Sequence, residues 1–347
     1  MLFLILFMSR APKQSLIFQE KLKIPKEFLK FATPRDVANY RAERLKCSVL
    51  VEIGAGIGGQ TIAFSRKCKK VIAIELNRER AKILNDNLKK LRIKNVEVIN
   101  GDALNKSIIQ KVSKENPEIV FVDTERPEES ERTLNQITPP IEKIIESYSS
   151  LTSNIAIEIP PFTQELEKLK LNFEKEFISL NGQLNRLTLY FNELKTCEKS
   201  AIALPSKERL TNSGKEIKSQ KVSSINNMKY LYSIDPTVIV SKLTDELSEK
   251  LNLPILELNK PVLVSNNEKK SYFLVPYKII KTCENKPEKI LQELKKIGAG
   301  KVIIRYNVLP KDYWKIRNFY EKELEGKKEI NLFVDEKQRE AILTEKI

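Results

Sequence analysis

The chain has 347 residues and a formal net charge of +15 at neutral pH, and it contains no histidine. The lack of histidine excludes a histidine general base, a histidine-containing zinc site and any catalytic triad that uses histidine. The four cysteines are scattered without a Cys-x-x-Cys pair, which predicts thiols in the cytoplasm and no metal site. The length allows two domains, and the charge favours a polyanionic partner such as nucleic acid, although many lysine-rich surfaces serve only solubility.

The amino-terminal residues 1–8 are almost wholly apolar, and polar sequence follows from Ser9. This run is too short to span a bilayer, and no positively charged segment precedes it as in a secretory signal. We therefore predict a leader or extension over residues 1–30 and no membrane anchor. Thr33 and Pro34 then predict the start of a helix that leads into the next strand.

The segment from Val49 to Thr61 has an apolar run followed by four glycines within six residues and then a helical pattern. This order predicts a buried strand, a tight turn and a helix N-terminus, which together accept a nucleotide-like ligand. Glycines allow positive φ and a close approach of the backbone to that ligand. The spacing Gly54-x-Gly56-x-x-Gly59 also satisfies the dinucleotide fingerprint, so the glycines alone leave an NAD site open.

Three later predicted strands end in polar residues. In a parallel sheet, these residues would lie at the same edge. The second apolar run ends in Glu75-Leu76, and the third ends in Gly101-Asp102-Ala103. A carboxylate after the second strand can accept two hydrogen bonds from the cis-diol of a ribose. The fourth run ends at Asp123, which the strand end should fix at the cleft.

A hairpin closes the predicted sheet. The residues Asn154–Ile159 form a predicted fifth strand, and Asn181-Gly182 is a strong hairpin turn between two further strands. A terminal hairpin after five strand–helix units gives a sheet whose last strand is antiparallel. Residues 201–204 are a candidate for one more edge strand.

This arrangement of E-x-G-x-G-x-G, a strand ending in an acid and a strand ending in G-D-A resembles the class I S-adenosylmethionine-dependent methyltransferases. The resemblance implies a Rossmann-like α/β domain with a seven-stranded sheet over residues 31–204. It implies that the glycine loop passes under the methionine part of S-adenosylmethionine, that Glu75 holds the ribose hydroxyls and that Asp102 lies by the adenine. It also implies that Asp123 faces the methyl acceptor as the catalytic residue. The expected cofactor-binding residues are Glu52, Gly54, Gly56, Gly58, Glu75, Leu76, Asp102 and Ala103.

Two segments carry a narrower resemblance. The residues Phe31 to Arg35 (FATPR) and Gly58 to Phe64 (GGQTIAF) resemble segments of trimethylguanosine synthase-like enzymes. After the fourth strand, the chain has D-T-E-R-P and departs from the N-P-P-Y or D-P-P-Y that is common in enzymes methylating exocyclic amines. Here the sequence leaves two interpretations of Glu125 and Arg126 open, a functional pair or a solvated loop.

The carboxy-terminal part predicts a second domain. Residues 205–229 are rich in Lys, Ser and Asn and predict a basic linker. A small α+β pattern follows over 230–347, with a predicted helix from Val238 to Leu251. The D-T-E-R-P and T-P-P segments, with Y-L-Y-x-x-D-P and I-G-x-G-x-V-x-I-R later, resemble methyltransferases that carry a C-terminal THUMP-like domain. That resemblance implies RNA binding by the second domain. Aromatic residues interleaved with basic ones suit stacking on RNA, although such aromatics more often belong to a core: Tyr306, Trp314, Phe319 and Tyr320.

The predicted function is S-adenosylmethionine-dependent methylation of RNA, with a tRNA or rRNA base favoured, without a metal or a membrane. Two alternatives remain from the sequence. One is a methyltransferase of a small molecule or a protein, whose second domain serves dimerisation. The other is a non-catalytic cofactor-binding RNA module, which the missing N-P-P-Y would favour. The sequence makes no prediction of the oligomeric state.

Overall fold

The structure is a computed structural model that describes residues 22, 24–29, 32–124, 133–225, 227–337 and 339–347. The chain divides into two compact units, one that ends at Asn212 and one that continues from Ser213 to Ile347. Of the predicted leader or extension over residues 1–30, the structure describes residues 22 and 24–29. Phe31 and the pair Glu125 and Arg126 lie outside the described residues.

The first unit alternates helices with strands. Its helices are α1 (Lys26–Leu29), α2 (Arg35–Arg44), α3 (Thr61–Ser65), α4 (Arg78–Lys90), α5 (Lys106–Ser113) and α6 (Ile141–Tyr148). Its strands are β1 (Val49–Ile53), β2 (Lys70–Glu75), β3 (Val96–Asn100), β4 (Ile119–Asp123), β5 (Ile155–Ile159), β6 (Phe173–Leu180), β7 (Gln183–Phe191), β8 (Lys199–Leu204) and β9 (Glu208–Thr211).

These strands form one sheet in the order β3-β2-β1-β4-β5-β7-β6-β8-β9. Strands β1 to β5 are parallel, and β7 runs antiparallel to both β5 and β6. The predicted α/β fold with an antiparallel strand at the hairpin is therefore confirmed. The hairpin turns at Asn181 and Gly182, whose φ angles of 53° and 74° are those of a type I′ turn.

The sheet has nine strands, so the predicted seven was too few. Strand β8 pairs parallel with β6, and β9 pairs antiparallel with β8. The physical reason is that β8 is buried along almost its whole length, and a buried strand needs a hydrogen-bonding neighbour on each side. The expected edge strand is thus an internal one.

The strand order determines where a ligand can bind. The chain goes from β1 outwards to β3 and then returns to β4 on the other side of β1. In an open parallel sheet, the loops diverge at this switch point and leave a crevice at the carboxyl ends of the strands. Helix α2 covers one face near this point, where its Ala38 and Ala42 pack in the core with Phe64 and Phe121.

The second unit is an α+β unit with its own sheet. Its helices are α7 (Pro236–Ser241), α8 (Thr244–Leu251), α9 (Pro287–Lys296) and α10 (Pro310–Glu321). Its strands are β10 (Lys221–Val222), β11 (Tyr230–Ile234), β12 (Ile255–Glu257), β13 (Pro261–Ser265), β14 (Leu274–Glu284), β15 (Ala299–Ile304), β16 (Lys328–Asp335) and β17 (Glu340–Lys346). They form a sheet in the order β10-β12-β13-β11-β14-β17-β16-β15.

Two predictions for this region differ from the structure. The predicted linker over 205–229 contains β9, which completes the first sheet, and β10, which pairs with β12 in the second. The single helix expected from Val238 to Leu251 is two helices, because Lys242 takes a left-handed conformation (φ 59°) and ends α7. Polar composition does not predict these two strands, since they depend on tertiary pairing. Lysine does not predict a helix end, since glycine or asparagine usually takes the left-handed position there.

Candidate active site

A cavity of about 610 Å³ opens at the carboxyl ends of the first four strands. Each of these strands contributes its last residue or the turn that follows it, which is the place where parallel α/β sheets bind ligands. The strand-end residues on its wall are Ile53, Gly54, Ala55 and Gly56 after β1, Ile74, Glu75 and Leu76 after β2, Gly101, Asp102 and Ala103 after β3, and Asp123 and Thr124 after β4.

The first turn needs glycine for a geometric reason. Gly54 has a φ of 82°, and a Cβ added there would lie 2.3 Å from the backbone oxygen of Asp123. Strands β1 and β4 can therefore approach one another only if this residue has no side chain. At Gly56, by contrast, a Cβ would meet nothing within 4 Å, and this residue lies on the cavity wall.

Glu75 connects the glycine loop to the end of β2. Its Oε2 accepts a hydrogen bond from the backbone N–H of Gly56 (2.7 Å), and its Oε1 accepts one from the N–H of Asn77 (2.9 Å). A carboxylate offers about four acceptor positions, so two remain after these bonds. Because Glu75 is buried and lines the cavity, those positions suit a ligand that donates two hydrogen bonds, as a cis-diol does.

The turn after β3 is held by its own contacts. The Asp102 Oδ1 accepts a hydrogen bond from the N–H of Leu104 (2.9 Å), and the Tyr148 hydroxyl donates one to the carbonyl of Ala103 (2.8 Å). Leu76 also lines the cavity and is 70% exposed although it is apolar. An exposed leucine and a carboxylate in one cavity offer apolar surface and a polar partner, which fits a flat ring with polar edges such as adenine.

Asp123 ends β4 and lies on the cavity wall. In the sheet it is the register partner of Glu158 on β5. The next residue, Thr124, is buried, and its hydroxyl donates a hydrogen bond to the Glu158 carbonyl (2.7 Å). This contact fixes the chain where it leaves β4, next to Asp123.

Two of the expected cofactor-binding residues do not line the cavity. Glu52 is fully buried within β1, where burial and the neighbouring charge of Asp123 raise its pKa to about 8. Gly58 has a φ of 96°, and a Cβ there would lie 2.5 Å from the Leu84 side chain on α4. Gly58 therefore packs the loop closely on α4, and its contact with a ligand stays a prediction.

The structure adds cavity residues that the strand-end pattern did not reveal. Phe28 of α1, Gln60 of the glycine loop, Arg80 of α4 and the segment from Thr138 to Pro140 all lie on the wall. The sequence pointed to two of these additions, through the pattern of the loop around Gln60 and through the T-P-P segment. No sequence pattern pointed to Phe28 or Arg80, because only the folded chain brings them to the strand ends.

A buried arginine holds Gln60 in place. The Arg41 guanidinium on α2 donates a hydrogen bond to the Gln60 Oε1 (2.9 Å) and forms an ion pair with Glu158 (2.5 Å). The Gln60 amide in turn donates to the Ala38 carbonyl (3.1 Å). Arg186 also pairs with Glu158 (2.5 Å). One buried network therefore connects α2, the glycine loop and the strand next to Asp123.

The residues present fit S-adenosylmethionine. Glu75 offers two acceptor positions for ribose hydroxyls, Leu76 and Ala103 offer apolar surface for the adenine with Asp102 beside it, and Gly56 leaves open space at the loop. Within the described ranges, no group of three or more acidic or cysteine side chains could hold a metal ion. In the same part of the chain, no helix has the length and apolarity needed to cross a membrane.

Comparison with known proteins supports this assignment. Residues 24–148 match the family described as ribosomal RNA adenine dimethylase. A protein of Methanosarcina acetivorans named "Probable ribosomal RNA small subunit methyltransferase A" is 46% identical over 63 residues, which are 18% of this chain and 23% of that protein. One of Methanocaldococcus jannaschii named "Probable cobalt-precorrin-6B C(15)-methyltransferase (decarboxylating)" is 33% identical over 92 residues, 26% of this chain and 48% of that protein. This chain thus spans less than half the length of either relative.

A crystal structure is similar to almost the whole chain. It is described as a "putative methyltransferase from Porphyromonas gingivalis W83". The TM-score is 0.74 at 15% sequence identity, and the match covers 98% of this chain and 95% of that chain. At this identity, the comparison shows the shared fold of both units. Together with the strand order, it shows that this chain has the α/β fold of that structure, and the cavity residues from Phe28 to Pro140 lie within the segment that is similar to the ribosomal RNA adenine dimethylase family.

Proposed function

We propose that this protein transfers a methyl group from S-adenosylmethionine to RNA, with a base of tRNA or rRNA as the favoured acceptor. The observation that carries the proposal is the family match over residues 24–148, since this segment supplies the wall of the cavity from Phe28 to Pro140. The high positive charge of the chain is consistent with a polyanionic substrate.

The chain's residues have separate tasks in this proposal. S-adenosylmethionine supplies an activated methyl group on its sulfonium, so a strong general base is not obligatory. Glu75 and Asp102 bind and orient the nucleoside part, and Gly56 lets the backbone approach the ligand. Asp123 faces the acceptor, where its carboxylate can accept a hydrogen bond from the group to be methylated and hold it in line. A chain without histidine can perform these tasks.

The finer proposals concern the subgroup, the second unit and the location. We infer that the second unit is a THUMP-like domain that binds RNA, on the basis of the Y-L-Y-x-x-D-P and I-G-x-G-x-V-x-I-R segments. The GGQTIAF loop supports a relation to trimethylguanosine synthase-like enzymes. A cytoplasmic location agrees with the four cysteines, all of which are free thiols.

A small-molecule substrate is the second candidate. The relative from Methanocaldococcus jannaschii favours it, because its name describes a corrin-precursor methyltransferase. A test with both acceptor classes separates the two proposals, since labelled methyl groups from S-adenosylmethionine should enter RNA and should not enter tetrapyrroles.

The role of Asp123 gives the proposal a sharper test. Asp123→Ala should lower turnover more than affinity for S-adenosylhomocysteine, because Asp123 touches the acceptor side of the cavity. Asp86→Ala, which removes an acid from the exposed side of α4, is the matched control and should leave both unchanged. Calorimetry that shows NADH binding without S-adenosylhomocysteine binding would reject the proposed cofactor. Equal turnover of Asp123→Ala and the unmodified protein would remove Asp123 from the reaction.

A further inference from the structure

Helix α10 in the second unit presents an unusual exposed surface. Its inner side is held by Tyr313, Ile316 and the buried Tyr320, which pack in the core with strands β15 and β16. Residues three, four and seven positions apart share one face of a helix, and here that face points to solvent. We name it the α10 face, and it consists of Lys311, Trp314, Lys315, Asn318, Phe319 and Lys322.

Two large aromatic residues stand on this face. Trp314 is 61% exposed and Phe319 is 38% exposed. Soluble proteins usually bury tryptophan, so an exposed one on an ordered helix calls for a partner. Trp314 is fixed in place by Tyr313, whose ring meets it at 89° with the centroids 5.4 Å apart. Its remaining surface is thus available to a ligand without a large loss of side-chain entropy.

A cationic side chain lies close to each of these aromatic rings. The Arg317 guanidinium lies 5.2 Å from the Trp314 ring centroid, and the Lys322 ammonium lies 5.7 Å from that of Phe319. Arg317 is held by Glu321, to which it donates a hydrogen bond of 2.8 Å. Arginine and aromatic planes are the surfaces on which unpaired nucleobases stack.

The charge of the face has one sign. Its six residues include three lysines and no acid. Glu321 lies at the edge of the face, but it is engaged by Arg317 and by the backbone N–H of Val302 (2.8 Å). A face with positive charge and exposed rings complements an anionic polymer that carries flat bases. An anionic membrane or an acidic protein would also be attracted by the positive charge, but neither has nucleobases to stack on the ordered Trp314 ring.

We propose that the α10 face binds an unpaired strand of the RNA substrate, with one base stacked on Trp314 and phosphates on Lys311 and Lys315. The inference rests on the proposed function, because it assumes an RNA substrate, and it adds the surface and the single-stranded state of the RNA. A contact of RNA with the basic residues at β15 has less support, since Lys301 is paired with Glu329 and Arg305 donates a hydrogen bond to Asn331.

The sequence offers a direct probe, because Trp314 is the chain's only tryptophan. A base that stacks on the indole should quench its fluorescence. We expect a saturable loss of emission when a mixed-sequence single-stranded RNA is added to the full chain. Two control ligands should produce little quenching at concentrations where they bind. One is a perfect duplex of the same sequence, and the other is heparin, which carries negative charge without bases. Anionic phospholipid vesicles should leave the emission wavelength unchanged.

Variants then measure the contribution of the stack. Trp314→Ala should weaken binding of the single strand by roughly 5- to 100-fold, whereas Trp314→Phe should retain most of it. Tyr272→Ala is the matched control, because it removes a 72% exposed aromatic residue from the same unit, and it should bind normally. Replacing Lys311 and Lys315 by Gln should lower the slope of log Kd against log salt by about 0.7 per lost phosphate contact.

Three results would overturn the proposal: equal quenching by heparin or duplex, a blue shift on vesicles, and unchanged single-strand affinity of Trp314→Ala. Measurements of S-adenosylhomocysteine affinity and methyl transfer on the same samples separate this inference from the proposed function. Methyl transfer to RNA without quenching would contradict only the α10 face. Quenching by single-stranded RNA without any methyl transfer would support the face and contradict the proposed function.

Discussion

At the scale of single residues, Glu75 is the group on which the cofactor site depends most. It closes the glycine loop through the N–H of Gly56, it caps its own turn through the N–H of Asn77, and it lines the cavity. Replacing it should therefore disturb the ligand and the loop together.

We expect Glu75→Ala to weaken S-adenosylhomocysteine binding by about 1–3 kcal/mol, because two hydrogen bonds to a charged acceptor are lost. Titration calorimetry measures this change. Glu79→Ala, which removes an acid from the first turn of α4 nearby, should bind normally. Equal affinities of the two variants would show that the ligand does not contact Glu75.

Two glycines of one loop should respond in opposite ways. A Cβ at Gly56 meets open space by the cavity, but a Cβ at Gly58 lies 2.5 Å from Leu84. Gly56→Ala should thus reduce cofactor affinity with a modest stability loss of roughly 1 kcal/mol from its positive φ. Gly58→Ala should lower the melting temperature more. The reverse order in thermal denaturation would contradict the packing role of Gly58.

Glu52 should make stability depend on pH. Its pKa in the folded chain is raised to about 8 because it is buried, so the folded state keeps a proton that the unfolded state releases above about pH 4.5. The free energy of unfolding should therefore fall, by up to ~1.4 kcal/mol per pH unit, as the pH rises from 5 to 8. In Glu52→Gln, which cannot ionise there, this contribution is absent. Parallel melting curves of the two proteins at pH 5 and 8 would contradict the shift.

At the scale of elements, α2 is held on the sheet by buried charges. Arg44 pairs with Glu174 (2.6 Å) and with Glu176, and its guanidinium lies 3.5 Å from the Tyr190 ring centroid. Burial alone would raise the pKa of Glu174, but hydrogen bonding to Arg44 holds it at about 2. The helix that carries Arg41 towards the cavity is thereby fixed to β6 and β7.

Arg44→Met should destabilise the fold by about 3 kcal/mol, because it leaves buried carboxylates without their main counter-charge. Arg35→Met on the same helix is the matched control, since Arg35 forms only an exposed pair with Asp36, and its effect should stay within about 0.5 kcal/mol. Urea denaturation measures both. Similar losses of unfolding free energy for the two variants would contradict a stabilising role of the Arg44 ion pairs.

Some of these elements could be predicted from the sequence, and others could not. Local signals predicted β1 to β7, the turn at Gly182 and the strand-end residues Glu75, Asp102 and Asp123, because each depends on a short pattern of apolar and polar residues. The pairing of β9 and the arrival of Arg80 at the cavity could not be predicted, since they depend on contacts between distant segments. The break at Lys242 is local, but it could not be predicted because glycine or asparagine usually takes this left-handed position. The packing of Gly58 against Leu84 could not be predicted either, because only the folded chain shows Leu84 beside it.

At the scale of the whole molecule, the chain joins two units that each have their own sheet and core. The first carries the residues for cofactor binding, and the second carries an exposed aromatic and basic helix face. The proposed function predicts that the methyl group ends on RNA rather than on a small molecule or a protein.

The most direct test is to incubate the full chain with S-adenosylmethionine bearing a deuterated methyl group and with total RNA, followed by mass spectrometry of the nucleosides. The account predicts a deuterated methyl group on one kind of nucleoside, which Glu75→Ala abolishes at limiting cofactor and Asp123→Ala reduces even at saturating cofactor. A protein that binds S-adenosylhomocysteine yet leaves every nucleoside unlabelled would contradict the account.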